Sequence, residues 1–205
     1  MAFERDELRK AMIEAAERRI VADGTGGLRA RTVAQDTGVS VGTVYNVFGS
    51  LNGLFDAVFA DEMKRFEGFA RAARDGADDS DIRGRLLALA LAYLDYVRDR
   101  ERIWMAMLAY NRERDVSEEY LALQTPLFNL VADVLVGNAQ QDSVADPMLA
   151  ARMLWSSVHG IVTMNYLGMV SDETRENTIA QVDLLVDLVL DGIARPEGAS
   201  TPQPV

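Results

Sequence analysis

The chain has 205 residues, of which 49% are hydrophobic and 26% are charged, so it has enough apolar material for a globular core. It contains no cysteine, which excludes disulfides, thiolate metal sites and cysteine nucleophiles. The first residues, MAFERDELRK, lack the apolar segment of a secretory signal, and no run approaches the roughly 20 apolar residues of a membrane helix. We therefore expect a soluble, cytoplasmic protein without a membrane partner.

The formal net charge of −11 is unevenly distributed. Residues 1–50 contain seven basic and seven acidic side chains, so the whole acidic excess belongs to residues 51–205. A neutral N-terminal segment can still approach a polyanion if the acidic remainder lies beyond the Debye length of about 8–10 Å. Such binding would depend on placed contacts because a general positive field is missing.

Apolar residues recur with helical spacing almost everywhere, and no segment alternates as a half-buried strand does. The sequence therefore predicts an all-α fold of about nine helices. We predict that the chain divides into segments over 1–50 and 51–195, followed by a disordered tail over 196–205. The predicted helices cover residues 5–23, 31–37, 41–47, a long segment from Ser50, 80–99, 101–112, 117–139, 147–169 and 172–195. Pro126 falls inside the seventh of these and is expected to bend or split it.

The segment between residues 28 and 48 has the features of a helix-turn-helix. Gly38 lies where the chain must reverse between two short helices, a position that often needs a positive φ. Ser40 can cap the second helix by accepting a hydrogen bond from the backbone N–H of Thr43. Val44 and Val47 would then pack on the body, so the opposite face is free to meet a ligand.

That opposite face carries short polar side chains, one glycine and one tyrosine. They suit a DNA major groove, since hydroxyls and the helix N-terminus bind phosphate and an asparagine can pair with adenine. The candidate DNA-binding residues are Arg29, Arg31, Ser40, Gly42, Thr43, Tyr45 and Asn46. The alternative is an ordinary αα-hairpin with a glycine turn.

The pattern V-A-x-x-T-G-V-S-x-G-T-V-Y-x-x-F-x-S, preceded by one long helix, resembles the tetracycline-repressor (TetR) family of regulators over about residues 5–60. Two positions depart from the family's habit. Family members commonly have Ser or Thr at the start of the first short helix, where this chain has Arg29 or Ala30, and often a Lys where it has Leu51. We expect the loss of that lysine to lower the salt dependence of DNA binding by about one charge.

The resemblance implies a helix-turn-helix DNA-binding domain over 1–50 and a helical effector-binding and dimerisation domain over 51–195, whose C-terminal helices form a homodimer interface and an effector pocket. The last two helices have apolar arcs too wide for a helix with one neighbour, which suits a four-helix contact between two copies. Ordinary core burial is the alternative. The candidate interface residues are Trp155, Val158, Val162, Val182, Val186, Val189 and Ile193.

Aromatic and methionine side chains cluster in two runs, near residues 104–111 and 155–166, and they suit an apolar or aromatic small molecule. Plain core packing is again the alternative. The candidate ligand-binding residues are Trp104, Met107, Leu108, Asn111, Phe128, Trp155, His159 and Tyr166. The run L-W-S-S-V-H-G-I-V also resembles the W-x-x-x-H-G motif of one TetR subgroup.

The sequence predicts neither an enzyme nor a metal or cofactor site. His159 is the single histidine, and with no cysteine it lacks the further ligands of a typical zinc site. Ser156 and Ser157 lie too near it on one helix to form a catalytic triad, and no nucleophile elbow or phosphate loop is present. The hypothesis is a homodimeric repressor that binds a palindromic operator in double-stranded DNA and is released by a small apolar effector. The alternatives are a regulator whose effector is absent or is a protein, and a small-molecule-binding dimer with weak or lost DNA binding.

Overall fold

The computed structural model describes residues 2–112, 118–137, 146–169 and 174–194. These residues form ten α-helices and one 3₁₀ turn, and no strand occurs among them. The helices are α1 (Ala2–Asp23), α2 (Ala30–Thr37), α3 (Val41–Phe48), α4 (Leu51–Asp75), α5 (Ile82–Asp99), α6 (Glu101–Arg112), α7 (Glu118–Ala122), α8 (Thr125–Val136), α9 (Pro147–Tyr166) and α10 (Arg175–Ala194). The prediction of an all-α fold is confirmed.

Proline and glycine determine where several helices begin and end. The predicted helix over 117–139 is two helices, because Pro126 occupies the first turn of α8, where its missing N–H has no helical acceptor. Gly24, with φ at 69°, ends α1 and leads into the 3₁₀ turn Thr25–Gly27. The predicted tail over 196–205 lies outside the described residues.

The chain divides into two compact units. Unit 1 comprises Met1–Phe66 and Tyr96–Gln124, and unit 2 comprises Glu67–Asp95 and Thr125–Val205. Each unit is built from two stretches of chain, and the sequence division at residue 50 remains a prediction.

Unit 1 contains α1 to α3, most of α4, α6 and α7. Its core includes Met12, Ile20 and Val33, all fully buried. The guanidinium of Arg19 on α1 donates two hydrogen bonds, of 2.7 and 2.6 Å, to the carboxylate of Asp36 on α2. This bidentate pair links α1 to α2, and its hydrogen bonds hold the pKa of Asp36 below the ordinary value.

A charged cluster centred on Glu62 joins four segments of unit 1. Glu62 on α4 is fully buried, and its carboxylate accepts hydrogen bonds from Tyr96 of α5 and from Arg100, which follows α5. Arg100 also donates to Glu17 of α1, and Arg65 lies 3.5 Å from Glu62. Burial alone would lower the pKa of Arg100, but these hydrogen bonds outweigh it and raise the pKa. We call these five residues the Glu62 cluster.

Unit 2 is built around α8, α9 and α10, with the end of α4 and most of α5. Val182 and Val186 of α10 and Val158 and Val162 of α9 are buried within the unit. Asn165 links α9 to α10, because its side-chain amide donates to Thr178 at 2.8 Å and to Gln181 at 3.0 Å. Apolar packing and one neutral polar contact therefore hold this helix pair together.

Candidate functional site

The turn between α2 and α3 has the geometry that the sequence predicts. Gly38 has a φ of 69°, a left-handed conformation that glycine adopts without strain, and its N–H closes α2. Ser40 caps α3 by accepting a hydrogen bond of 3.0 Å from the backbone N–H of Thr43. Its hydroxyl also pairs with the Thr43 hydroxyl at 2.8 Å. The start of α3 is thus fixed by its own side chains.

The exposed face of α3 consists of two adjacent rows of residues. Val41 and Tyr45 form one row, four residues apart, and Gly42 and Asn46 form the other. All four are exposed, whereas Val44 on the opposite face is buried. An added Cβ at Gly42 would have only the Ser40 hydroxyl, at 3.6 Å, for a neighbour, so the surface there is open.

The structure also places the other candidate DNA-binding residues. Arg29 is the N-cap of α2 and has no capping side-chain bond, which matches the departure noted in the sequence. Arg29 and Arg31 are both exposed, and Thr43 is half-buried. The exposed row residue Val41 was not among the predicted contacts, because exposure of a valine cannot be read from its type. Contact of any of these residues with DNA remains a prediction.

Leu51, which stands where family members often have lysine, is the first residue of α4 and is half-buried. Ser50 precedes it and caps the helix by accepting from the N–H of Gly53 at 2.9 Å. Arg9 of α1 lies near this turn, with its guanidinium 5.5 Å from the centre of the Phe48 ring.

Several candidate ligand-binding residues in unit 2 form one aromatic cluster. The Trp155 ring lies 6.4 Å from that of Phe128 and 6.0 Å from that of His159, measured between centroids. The sequence did not indicate Tyr93 of α5, which completes the cluster at 4.9 Å from Trp155. Its hydroxyl hydrogen-bonds to Nδ1 of His159 at 2.6 Å, and burial lowers the pKa of His159. Tyr166 lies on α9, as Trp155 and His159 do, and it is exposed.

The remaining ligand-binding candidates belong to α6 in unit 1. Trp104 and Met107 are buried there, and Leu108 is half-buried. Asn111 lies within α6, but its side chain is outside the described residues. Whether any of these residues contacts an effector remains a prediction.

Most of the predicted interface residues with described side chains are buried inside unit 2. Val158, Val162, Val182 and Val186 are each at most 7% exposed, while Trp155 and Val189 are half-buried. The Ile193 side chain is outside the described residues. The exposed large apolar residues described on these helices are Leu149, Met153, Met164 and Tyr166 on α9 and Leu184 and Leu188 on α10.

Two kinds of feature are absent from the described residues, namely a metal site and a membrane-spanning helix. No group of three acidic, histidine or cysteine side chains is close enough to hold a metal ion in that part of the chain. None of the helices in the described ranges combines the length and the apolar character that crossing a membrane would require.

Comparison with known proteins identifies the family. Residues 86–190 match the model of the tetracyclin repressor-like C-terminal domain, which is just over half of the chain. The chain belongs to the TetR family. Members of this family are DNA-binding regulators and not enzymes, which agrees with the sequence prediction. The comparison with curated proteins finds no match.

Solved structures share the fold at low sequence identity. A protein of unknown function from a Rhodococcus species has a TM-score of 0.73 and 23% identity over 92% of this chain and 96% of its own. The fatty acid degradation regulator FadR from Bacillus halodurans has a TM-score of 0.67 and 19% identity over 89% and 98%. A TetR family regulator from Marinobacter aquaeolei has a TM-score of 0.65 and 17% identity over 91% and 97%.

Proposed function

We propose that this TetR-family chain is a cytoplasmic, homodimeric repressor that binds a palindromic operator and is released by a small apolar or aromatic effector. The observation that carries the proposal is the exposed face of α3. A capped eight-residue helix there presents Gly42, Tyr45 and Asn46 to solvent, and Arg29 and Arg31 precede it.

Charge supports this location for DNA. The first 50 residues are neutral, whereas the rest of the chain carries the net charge of −11 and would repel phosphate. Because the first 50 residues have no basic excess, affinity must come from a few placed contacts in each of two copies. Two helix-turn-helix segments, one from each copy and one helical turn of DNA apart, would contact the two halves of a palindrome.

A gel-shift titration with the DNA upstream of the chain's own gene tests the proposal at several salt concentrations. We expect specific binding that weakens as salt rises, by several powers of ten if each dimer contacts several phosphates. Thr43→Ala and Tyr45→Phe should each weaken it. Binding that is absent in wild-type dimers, or unchanged in both variants, would remove the assignment of α3 as the reading helix.

The second-copy contact is best supported by the exposed leucines of α10. Leu184 and Leu188 are 59% and 61% exposed and lie four residues apart on one row. Exposed leucines in such a row suit the isologous contact that the family implies better than valines already buried in the protomer. Val189, which follows Leu188 in the sequence, and Trp155 of α9 are half-buried and remain candidates for its edge.

The test of this contact is Leu188→Lys, with Val136→Lys as the matched control because Val136 on α8 is 62% exposed. Sedimentation should show monomers for Leu188→Lys at a concentration where wild type and Val136→Lys are dimers. Equal behaviour of the two variants would place the dimer contact elsewhere.

The proposed effector would contact the aromatic cluster of unit 2. Phe128, Trp155 and His159 combine apolar ring faces with one polar edge, which suits a small aromatic or apolar molecule. Such an effector releases DNA only if it binds the off-DNA arrangement more tightly than the on-DNA one. A thermal-shift screen of aromatic compounds, repeated with Trp155→Ala, tests this; a hit that stabilises both proteins equally would place the effector elsewhere.

One observation favours the alternative of a dimer with weak or lost DNA binding. Leu51 replaces a lysine that family members often place at the start of α4, and the structure shows no side-chain charge at that position. Leu51→Lys should then restore specific binding at a salt concentration where wild type has none.

A further inference from the structure

Val41 is an exposed apolar side chain on a surface that otherwise suits polar contacts. Among the described residues of the first 50, Val41 and Tyr45 are the two large hydrophobic side chains that are exposed, at 38% and 46%. They lie in the same row of α3, one helical turn apart. The other large apolar side chains described in this segment are buried or half-buried, so this pair differs from them in exposure.

The neighbours of Val41 leave its methyl groups prominent. Gly42 beside it has no side chain, and an added Cβ there would meet only the Ser40 hydroxyl, so this flank of Val41 is open. The hydroxyls of Ser40 and Thr43 are bonded to each other at 2.8 Å, and Ser40 also caps the helix. A flat ligand surface approaching the first turn of α3 would therefore meet the valine methyls early.

Only one kind of apolar group is displayed in the DNA major groove, namely the methyl group on C5 of a pyrimidine. Thymine carries it always, and cytosine carries it when methylated. The other edges present hydrogen-bond donors and acceptors, which lose free energy if a valine covers them without replacing their water. The first residues of a reading helix are the ones that contact base edges.

We propose that Val41 is a specificity-determining residue that contacts a pyrimidine C5-methyl group in each operator half-site. This inference rests on the proposed DNA-binding function and goes beyond it by naming the chemical group that is read. The contact selects thymine, or 5-methylcytosine, over unmethylated pyrimidines at one position of the half-site.

The test begins with the full chain and a pool of random duplexes, from which the bound half-site is determined. Each thymine in both half-sites is then replaced in turn by uracil, which lacks only the methyl group. We expect one position at which uracil weakens binding about fourfold per half-site, the effect of one buried methyl group. Val41→Ala should weaken binding to thymine DNA and bind uracil and thymine DNA equally.

Further arms separate the sources of the methyl group and control for the substitution. At the sensitive position, 5-methylcytosine is compared with cytosine; a gain with the methyl group shows that the methyl alone is read, and no gain shows that thymine is required. Val136→Ala changes an equally apolar, exposed valine on α8 and should keep the wild-type response to uracil.

The outcomes distinguish the inference from the function on which it rests. Selection that enriches no sequence overturns both. Sequence-specific binding with no uracil-sensitive thymine overturns the role of Val41 and leaves the DNA-binding function intact. Uracil sensitivity that persists unchanged in Val41→Ala also overturns it, because another side chain then contacts the methyl group.

Discussion

The two units bury polar side chains in different ways. In unit 1 the buried group is the charged Glu62, held by Tyr96 and Arg100. In unit 2 it is the neutral amide of Asn165, held by Thr178 and Gln181. Both groups join helices, but they differ in charge, in the number of partners and in the separation along the chain, which is 38 residues from Glu62 to Arg100 and 13 from Asn165 to Thr178.

The difference shows how the cost of burial sets the size of a polar cluster. A carboxylate removed from water loses several kcal/mol of solvation, so it needs cationic and hydroxyl partners on several sides. An amide loses far less and is satisfied by two neutral contacts. The Glu62 cluster therefore draws on α1, α4, α5 and the start of α6, whereas the Asn165 contact involves α9 and α10 alone.

The largest expected effect follows from Glu62→Ala. The substitution removes the carboxylate that Tyr96 and Arg100 share and leaves Arg100 with Glu17 alone, and we expect the free energy of unfolding to fall by about 3–5 kcal/mol. Urea denaturation followed by circular dichroism measures it. Glu67→Ala, on the same helix but paired at the surface with Arg71, is the control and should change little. Equal losses in the two variants would show that burial is not what distinguishes Glu62.

A smaller loss is expected from Asn165→Ala. Thr178 then loses its side-chain partner in a buried position, at a cost of about 1–3 kcal/mol. The same denaturation measurement applies, with the exposed Asn129 of α8 changed to alanine as the matched control. A loss as large as that of Glu62→Ala would remove the contrast between charged and neutral clusters.

The pH dependence of stability tests a second polar pair of unit 2, the buried Tyr93 and the partly buried His159. Burial lowers the pKa of His159 below its ordinary value of 6.5. Between the lowered pKa and pH 6.5, the unfolded chain therefore binds a proton at this residue and the folded chain does not. Stability should be at its full value above pH 6.5 and fall as the pH drops below that value towards the lowered pKa. Thermal melts of wild type and His159→Gln at a series of pH values reveal it as a difference confined to the acid side.

The smallest effect is expected from the surface clamp of unit 2. Arg83 of α5 donates to Asp187 at 2.6 Å and to Asp183 at 2.8 Å on α10, and these hydrogen bonds hold the pKa of Asp187 low. All three side chains are 40% exposed or more, so water and salt compete with the pairs. Arg83→Ala should change thermal stability little at low salt and not at all at 0.5 M; a large, salt-independent loss would contradict this.

Local chemistry made the helix-turn-helix between residues 28 and 48 predictable. The positive φ of Gly38, the Ser40 cap and the Ser50 cap each depend on residues within four positions of one another, so the sequence contains their causes. The split at Pro126 is of the same kind. The all-α fold follows from apolar spacing that persists along the chain.

Long-range contacts were not predictable in the same way. Glu62 and Arg100 are 38 residues apart, and nothing near either residue marks the other as its partner. Tyr93 was missed for the same reason, since its partner His159 is 66 residues away. On α10, the wide apolar arc indicates burial, but it does not tell which valines face the protomer and which leucines face outward.

The Glu62 cluster also has a consequence for synthesis on the ribosome. Residues of α1 and α4 emerge before Arg100, so for the time that it takes to translate some forty more residues Glu62 has only the half-exposed Arg65 as a cationic partner and lacks Arg100 and Tyr96. The N-terminal helices can therefore reach their final packing only after the start of α6 has left the exit tunnel. A nascent chain stalled before residue 100 should be cut by protease within α4, where the finished protein resists.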